Sequence, residues 1–179
     1  ETGEGYQAIV RRFPLGPIAA ISPFNFPLNL VAHKLAPALA VGSAVVLKPA
    51  PQAPLTAFLL AEVVEAAGAL PGQFTVVHCN PPEAEALATD PRPQMLSFTG
   101  SAAVGWHLRD IAGQKRVTLE LGGNAGAIVH EDADLDWAVR RCTAGAFAYA
   151  GQVCISLQRL YVHDAVYADV RDALVAAAR

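Results

Sequence analysis

The chain lacks any unbroken apolar run near the roughly 18–20 residues that a membrane-spanning helix needs, although 53% of its 179 residues are hydrophobic. No membrane partner is expected, and the apolar residues suffice for a core well above the size at which burial becomes marginal. Lys/Arg clusters are lacking too. With a net charge of −3 and no basic stripe to track a phosphate backbone, nucleic acid is not an expected partner. Cysteine is scarce: Cys79, Cys142 and Cys154 are an odd number without CxxC spacing. That argues against a disulfide framework and a structural zinc site, and fits a reducing cytoplasm. His33, His78, His107, His130 and His163 are scattered without metal-ligand spacing. They read as surface or strand-end residues, so no metal is expected, and no Ser-His-Asp arrangement can be built from them. No secretory signal peptide, internal repeat or low-complexity tract is visible in these residues. The chain opens on Glu1-Thr2-Gly3-Glu4 without Met and ends on Ala176-Ala177-Ala178-Arg179 in a helical pattern. Both ends read as cut, so a piece of a longer polypeptide is expected.

What is present is a repeated alternation of short apolar runs and helical patterns. Residues 6–13 read as a strand with mixed faces, punctuated by Pro14 and Gly16-Pro17. Ile18–Ile21, Ala44–Leu47, Phe74–Val77, Met95–Phe98 and Val117–Leu121 read as successive strands, the first two as strands buried on both faces. Helices are expected over about 28–41, with His33 and Lys34 on the polar side, and over 55–67. The second has apolar positions at helical spacing (Leu55, Phe58, Leu59, Val63, Ala66) and Gly68 as its C-cap. Further helices are expected from Glu83 to Thr89 after Pro81-Pro82 and from Ser101 to Ile111. This alternation predicts a parallel α/β sheet with helices on both faces. After Gly122-Gly123 come a strand from Ala127, a helix over 134–147, a strand at Leu160–Val162 and a helix over 164–179.

Five segments carry candidate chemistry, each with an ordinary alternative. Gly151-Gln152-Val153-Cys154 holds a thiol, but a lone cysteine is more often packing than nucleophile. Glu120 closes an apolar strand before a glycine pair, where a carboxylate is usually a solvated terminus. Enclosed by its apolar neighbours it would instead have a raised pKa, suited to a general base. Asn25, in Pro23-Phe24-Asn25-Phe26-Pro27, is an ordinary turn residue. Lys48, before Pro49-Ala50, reads alone as a surface residue at a strand end. Phe98-Thr99-Gly100-Ser101 puts a Gly-Ser pair where a strand meets a helix, as a capping Ser or as an anion site for a pyrophosphate. No Gly-x-Gly-x-x-Gly or Walker loop is present. A thiol, a carboxylate and a carboxamide together are the groups that covalent chemistry on a carbonyl requires.

At these segments, and in their order, the chain resembles the aldehyde dehydrogenase superfamily of the NAD(P)-dependent, hydrolytic type. The resemblance implies a Rossmann-type cofactor domain over residues 17–122 and the beginning of a second α/β (catalytic) domain over 123–179. Residues 1–16 would be a strand segment that helps subunits associate. It implies Cys154 as nucleophile, Glu120 as the base that activates the deacylating water, and Asn25 as the side-chain half of the oxyanion hole. Ile21, Ser22, Phe24, Lys48, Pro51, Gly100, Ser101, Leu121 and Gly122 would contact NAD or NADP. Cys79 and Cys142 match no family motif and are expected to be inert. The family often has Glu three residues after the lysine, where Pro51 stands here, which favours tolerance of or preference for NADP. Cys79-Asn80-Pro81 departs from a glycine-containing turn common near the adenine. The implied substrate is a small aldehyde, the implied assembly a homodimer or homotetramer, and the implied location the cytoplasm. Rival readings are an acyl-transferring dehydrogenase using coenzyme A or phosphate, against which Glu120 argues, and a nucleotide-binding module without catalysis.

Overall fold

A computed structural model describes residues 3–179. Seven strands and six α-helices are present among them. They divide into two compact units, one comprising the described residues up to Thr99 with Trp106–Leu119, the other Gly100–Gly105 with Glu120–Arg179. No helix among the described residues is long and apolar enough to cross a membrane.

The first unit is built on short strands whose residues have little to offer water. Strands β1 (Ile18–Ile21) and β2 (Val45–Lys48) are almost entirely buried, as are the middle residues of β4 (Met95–Thr99). With β3 (Phe74–Val76) and β5 (Arg116–Glu120) they form a five-stranded sheet in the order β3-β2-β1-β4-β5. Strand β1 pairs in parallel with β2 (Ile21 opposite Lys48) and with β4 (Ile21 opposite Phe98). Helices cover both faces, which is why the central strands carry apolar residues without alternation. Because β2 and β4 flank β1, the sheet has a switch point between β1 and β4. Ligands of such sheets bind beyond the carboxyl ends of the strands at that point.

Helix α1 (Asn29–Ala40) buries Val31, Leu35 and Ala38 against Ala20, Val45 and Leu47. Each fully buried Val or Leu contributes about 1.5–3 kcal/mol. Helix α2 (Leu55–Ala66) forms where expected and is followed by Gly68 at φ +92°, the left-handed stop that favours glycine. Its packed face, however, is Ala57, Leu60 and Val64, while Leu55, Leu59 and Val63 are exposed. The helix is apolar nearly all round, so periodicity could not choose the face. Helix α3 (Pro81–Thr89) starts on the two prolines under a capping box formed by Asn80 and Glu83, and α4 (Ala102–Ile111) follows β4.

One expected element is not formed. Residues 6–13 are outside any strand, and Tyr6, Ile9, Val10 and Phe13 are largely exposed. A strand needs a neighbour to take its N–H and C=O groups, and none pairs with this segment among the described residues. The first two residues of the expected 1–16 segment lie outside the described residues.

In the second unit, β6 (Ala125–Val129) and β7 (Leu157–Val162) pair in parallel. Helices α5 (Leu135–Phe147) and α6 (Tyr167–Ala177) accompany them around a core of Val129, Ala138, Val139, Cys142 and Val170. Asp134 caps α5, its carboxylate accepting from the Trp137 N–H at 3.0 Å.

Candidate active site

The carboxyl ends of the strands hold the expected cofactor residues of the first unit. Ile21 and Ser22 end β1 and are buried. The Ser22 N–H donates to the Lys48 carbonyl at 3.1 Å, while its hydroxyl, 4% exposed with its residue, has no hydrogen-bond partner among the described residues. Lys48 is not the surface residue its sequence position suggests: it is 6% exposed. Its ammonium has no ion pair or hydrogen bond among the described residues. The Ser22 hydroxyl, buried without a partner, carries a desolvation cost that a bound ligand would offset, and Lys48 stands opposite Ile21 beside it. Their place beyond the carboxyl ends of β1 and β2 therefore fits ribose hydroxyls or a phosphate. Phe24 is exposed and Asn25 half-buried on the bend that links β1 to α1, and Pro51 is exposed in the turn after β2.

Lys34 corrects a sequence-based expectation. It is half-buried, and its Nζ donates to Ser97 Oγ at 3.1 Å and Thr99 Oγ1 at 2.7 Å. Helix α1 is thereby tied to the carboxyl end of β4 by charge-assisted bonds. Nothing in the local pattern, a Lys beside a His, signals partners more than 60 residues away.

In the second unit the Gly100 N–H donates to the Glu120 carbonyl at 3.0 Å, and Ser101 precedes α4. Glu120 itself is exposed. Strand β5 alternates, with Arg116, Thr118 and Glu120 exposed and Val117 and Leu119 partly covered. The pleat turns Glu120 away from its apolar neighbours, so they do not enclose it as expected. Leu121, Gly122 and Gly123 lead from β5 into β6 without regular structure.

That segment meets the thiol loop. A Cβ built on Gly123 would overlap the Cys154 carbonyl oxygen and lie 3.1 Å from its carbonyl carbon. Only glycine permits such an approach of two backbones. Gly123→Ala is therefore expected to destabilise the protein by about 1–3 kcal/mol through overpacking, read as a lowered midpoint in thermal unfolding. An unchanged midpoint would show that the two loops do not touch.

Cys154 is exposed, Cys79 half-buried and Cys142 buried, with burial pushing the Cys142 thiol above its ordinary pKa. The loop reaching Cys154 is strained. After α5, Tyr149 and Ala150 both have φ 55° and Gly151 φ 72°, three left-handed residues in succession. Each non-glycine residue in that region costs roughly 1–2 kcal/mol, and such strain tends to collect at functional sites. The far side is anchored by buried Ser156, whose hydroxyl donates to the Ala146 carbonyl at 3.1 Å. Tyr and Ala do not favour left-handed backbone, so no sequence signal announces this turn, and Ser156 belongs to no motif.

Comparison with known proteins decides the kinship. The chain matches the aldehyde dehydrogenase family over residues 1–179. The chain belongs to that family. It is 48% identical over 165 residues to a 3-sulfolactaldehyde dehydrogenase of Priestia aryabhattai, a match covering 92% of this chain and 35% of the relative. An NADP-dependent succinate-semialdehyde dehydrogenase of Escherichia coli is 45% identical, with 93% of this chain and 36% of that one covered. Among solved structures, aldehyde dehydrogenase 21 of Physcomitrella patens, in complex with the reaction product succinate, superimposes with a TM-score of 0.87. It is 46% identical and covers 92% of this chain and 35% of that one. The chain thus spans about a third of the length of these relatives.

Proposed function

We propose that the whole protein oxidises an aldehyde to a carboxylic acid with NAD or NADP. The observation that carries the reading is the contact of the Gly123 backbone with that of Cys154, which sets the segment following Glu120 against the backbone of the residue that bears an exposed thiol. The Cys154 thiolate adds to the aldehyde carbon, forming a carbon–sulfur bond and an oxyanion. The Asn25 carboxamide and the Cys154 N–H hold that oxyanion as hydrogen-bond donors. When bound, the nicotinamide supplies a hydride acceptor. Loss of hydride leaves a thioester on Cys154. Glu120 takes a proton from water, the resulting hydroxide attacks the acyl carbon, and the thiolate departs with the acid released. Exposure of Glu120 suits a base that must reach water.

Buried Lys48 and Ser22, with Ile21, Phe24, Pro51, Gly100, Ser101, Leu121 and Gly122, would hold the cofactor. We assign residues 17–122 to its domain, 123–179 to the start of the catalytic domain and 1–16 to a subunit-associating segment. A homodimer or homotetramer in the cytoplasm fits this reading and the unpaired cysteines. Steady-state turnover with a panel of aldehydes, with the acid product identified by mass spectrometry, tests the reaction. Turnover that requires coenzyme A or phosphate would favour acyl transfer instead. Cofactor binding without thiol-dependent turnover would favour a binding module.

Pro51 bears on cofactor choice. It offers neither a hydrogen-bond acceptor for ribose hydroxyls nor a negative charge to repel a 2′-phosphate, and buried Lys48 would attract one. The Escherichia coli relative is itself named as NADP-dependent. Catalytic efficiency with NADP is expected to equal or exceed that with NAD. Strict dependence on NAD would overturn this.

A further inference from the structure

Sequence spacing hides a cluster that strand register creates. Val129 of β6 is opposite Val162 of β7, and the ladder continues one step, with the His163 N–H donating to the Val129 carbonyl at 2.9 Å. The next residues, His130 and His163, therefore stand side by side at the carboxyl ends of the two strands. Their ring centroids are 5.1 Å apart. Glu131 Oε2 is 3.9 Å from His163 Nδ1. One ring nitrogen of each histidine and a Glu131 carboxylate oxygen all lie within 4.8 Å of one another. His130 and His163 are exposed strand-end residues as expected, and their proximity is what sequence spacing does not show.

We propose that His130, Glu131 and His163 form a binding site for a borderline divalent transition metal such as Zn²⁺. Two imidazoles and one carboxylate are a donor set for Zn²⁺, Cu²⁺ or Ni²⁺ and not for Mg²⁺ or Ca²⁺, which take oxygen ligands. Metal–ligand distances of about 2.0–2.2 Å set tetrahedral donors about 3.3 Å apart, so small rotations of three exposed side chains close the site, with water as the fourth ligand. A second carboxylate supports the first histidine: Asp132 Oδ1 is 3.0 Å from His130 Nδ1. Accepting from that nitrogen, it orients the ring and leaves Nε2 with its lone pair, as carboxylates behind metal-bound histidines do. At His163 the metal competes only with a 3.3 Å contact from the Ala165 N–H to Nδ1. The metal would pin the β6–α5 connection to the turn after β7. The cluster stands at the end of β7 remote from Cys154, roughly 20 Å along six residues, so binding there is separable from thiol chemistry.

Zn²⁺ titration of the whole protein against a chromophoric chelator tests the proposal, with Cys154 first alkylated so that its thiolate cannot bind. Wild type is expected to bind one more Zn²⁺ than His130→Ala or Glu131→Gln, or to bind it at least about 10-fold more tightly. His163→Asn, which keeps a side-chain acceptor for the Ala165 N–H, should weaken binding equally. Imidazole resonances of both histidines should shift together on adding Zn²⁺, and excess Mg²⁺ should not displace it. Equal titrations for wild type and variants, or resonances that do not move, would overturn the site whatever the protein's activity proves to be.

Discussion

Cys154→Ala is expected to lower aldehyde oxidation by the whole protein at least about 1000-fold, a loss of roughly 4 kcal/mol of transition-state stabilisation. No other thiol can substitute. Cys142 is buried in the core of the second unit with its thiol held protonated by desolvation, and Cys79 sits half-buried at the start of α3. Because the Cys154 side chain is exposed, its removal deletes little packing, so the thermal midpoint and cofactor affinity should stay near wild type. Iodoacetamide should likewise label Cys154 well before Cys142, and a substrate aldehyde should slow that labelling. Turnover that persists in Cys154→Ala would remove the nucleophile assignment, and with it the thioester route.

Asn25→Ala ranks next, with an expected fall of about 100–1000-fold in kcat, or about 2.7–4 kcal/mol, the usual cost of one oxyanion donor. The loss should fall on kcat and spare KM, because the oxyanion exists only after the thiolate has added. Prolines at 23 and 27 bracket the bend that carries Asn25 and restrict the backbone around it. The thermal midpoint separates a folding defect from a lost donor. A rise in KM with kcat unchanged would make Asn25 a substrate-binding residue and leave the oxyanion without its side-chain partner.

Much of the architecture was legible because burial on both faces leaves a plain trace. Strands β1, β2 and β4 are apolar runs with no alternation, and the intervening helices end on signals such as Gly68. Pairing partners were not legible. Residues 6–13 have strand composition, yet no neighbour among the described residues completes them. Helix α2 is apolar on every side, so only packing chose Ala57, Leu60 and Val64 over Leu55, Leu59 and Val63. Glu120 looked enclosed because it follows apolar residues, but strand pleating separates neighbours in sequence onto opposite faces.

The family segments around Asn25, Lys48, Gly100, Glu120 and Cys154 were readable one by one, since each is a short local string whose residue types limit the chemistry available. The sequence alone determined that inventory and the alternation of strands and helices, both of which depend on interactions within a few residues. Tertiary structure alone decided that Gly123 touches the Cys154 backbone, that Lys34 reaches Ser97 and Thr99, that Lys48 is buried, and that His130 stands beside His163. Each depends on chain segments distant in sequence being brought together by strand register and core packing, and no local pattern encodes that distance.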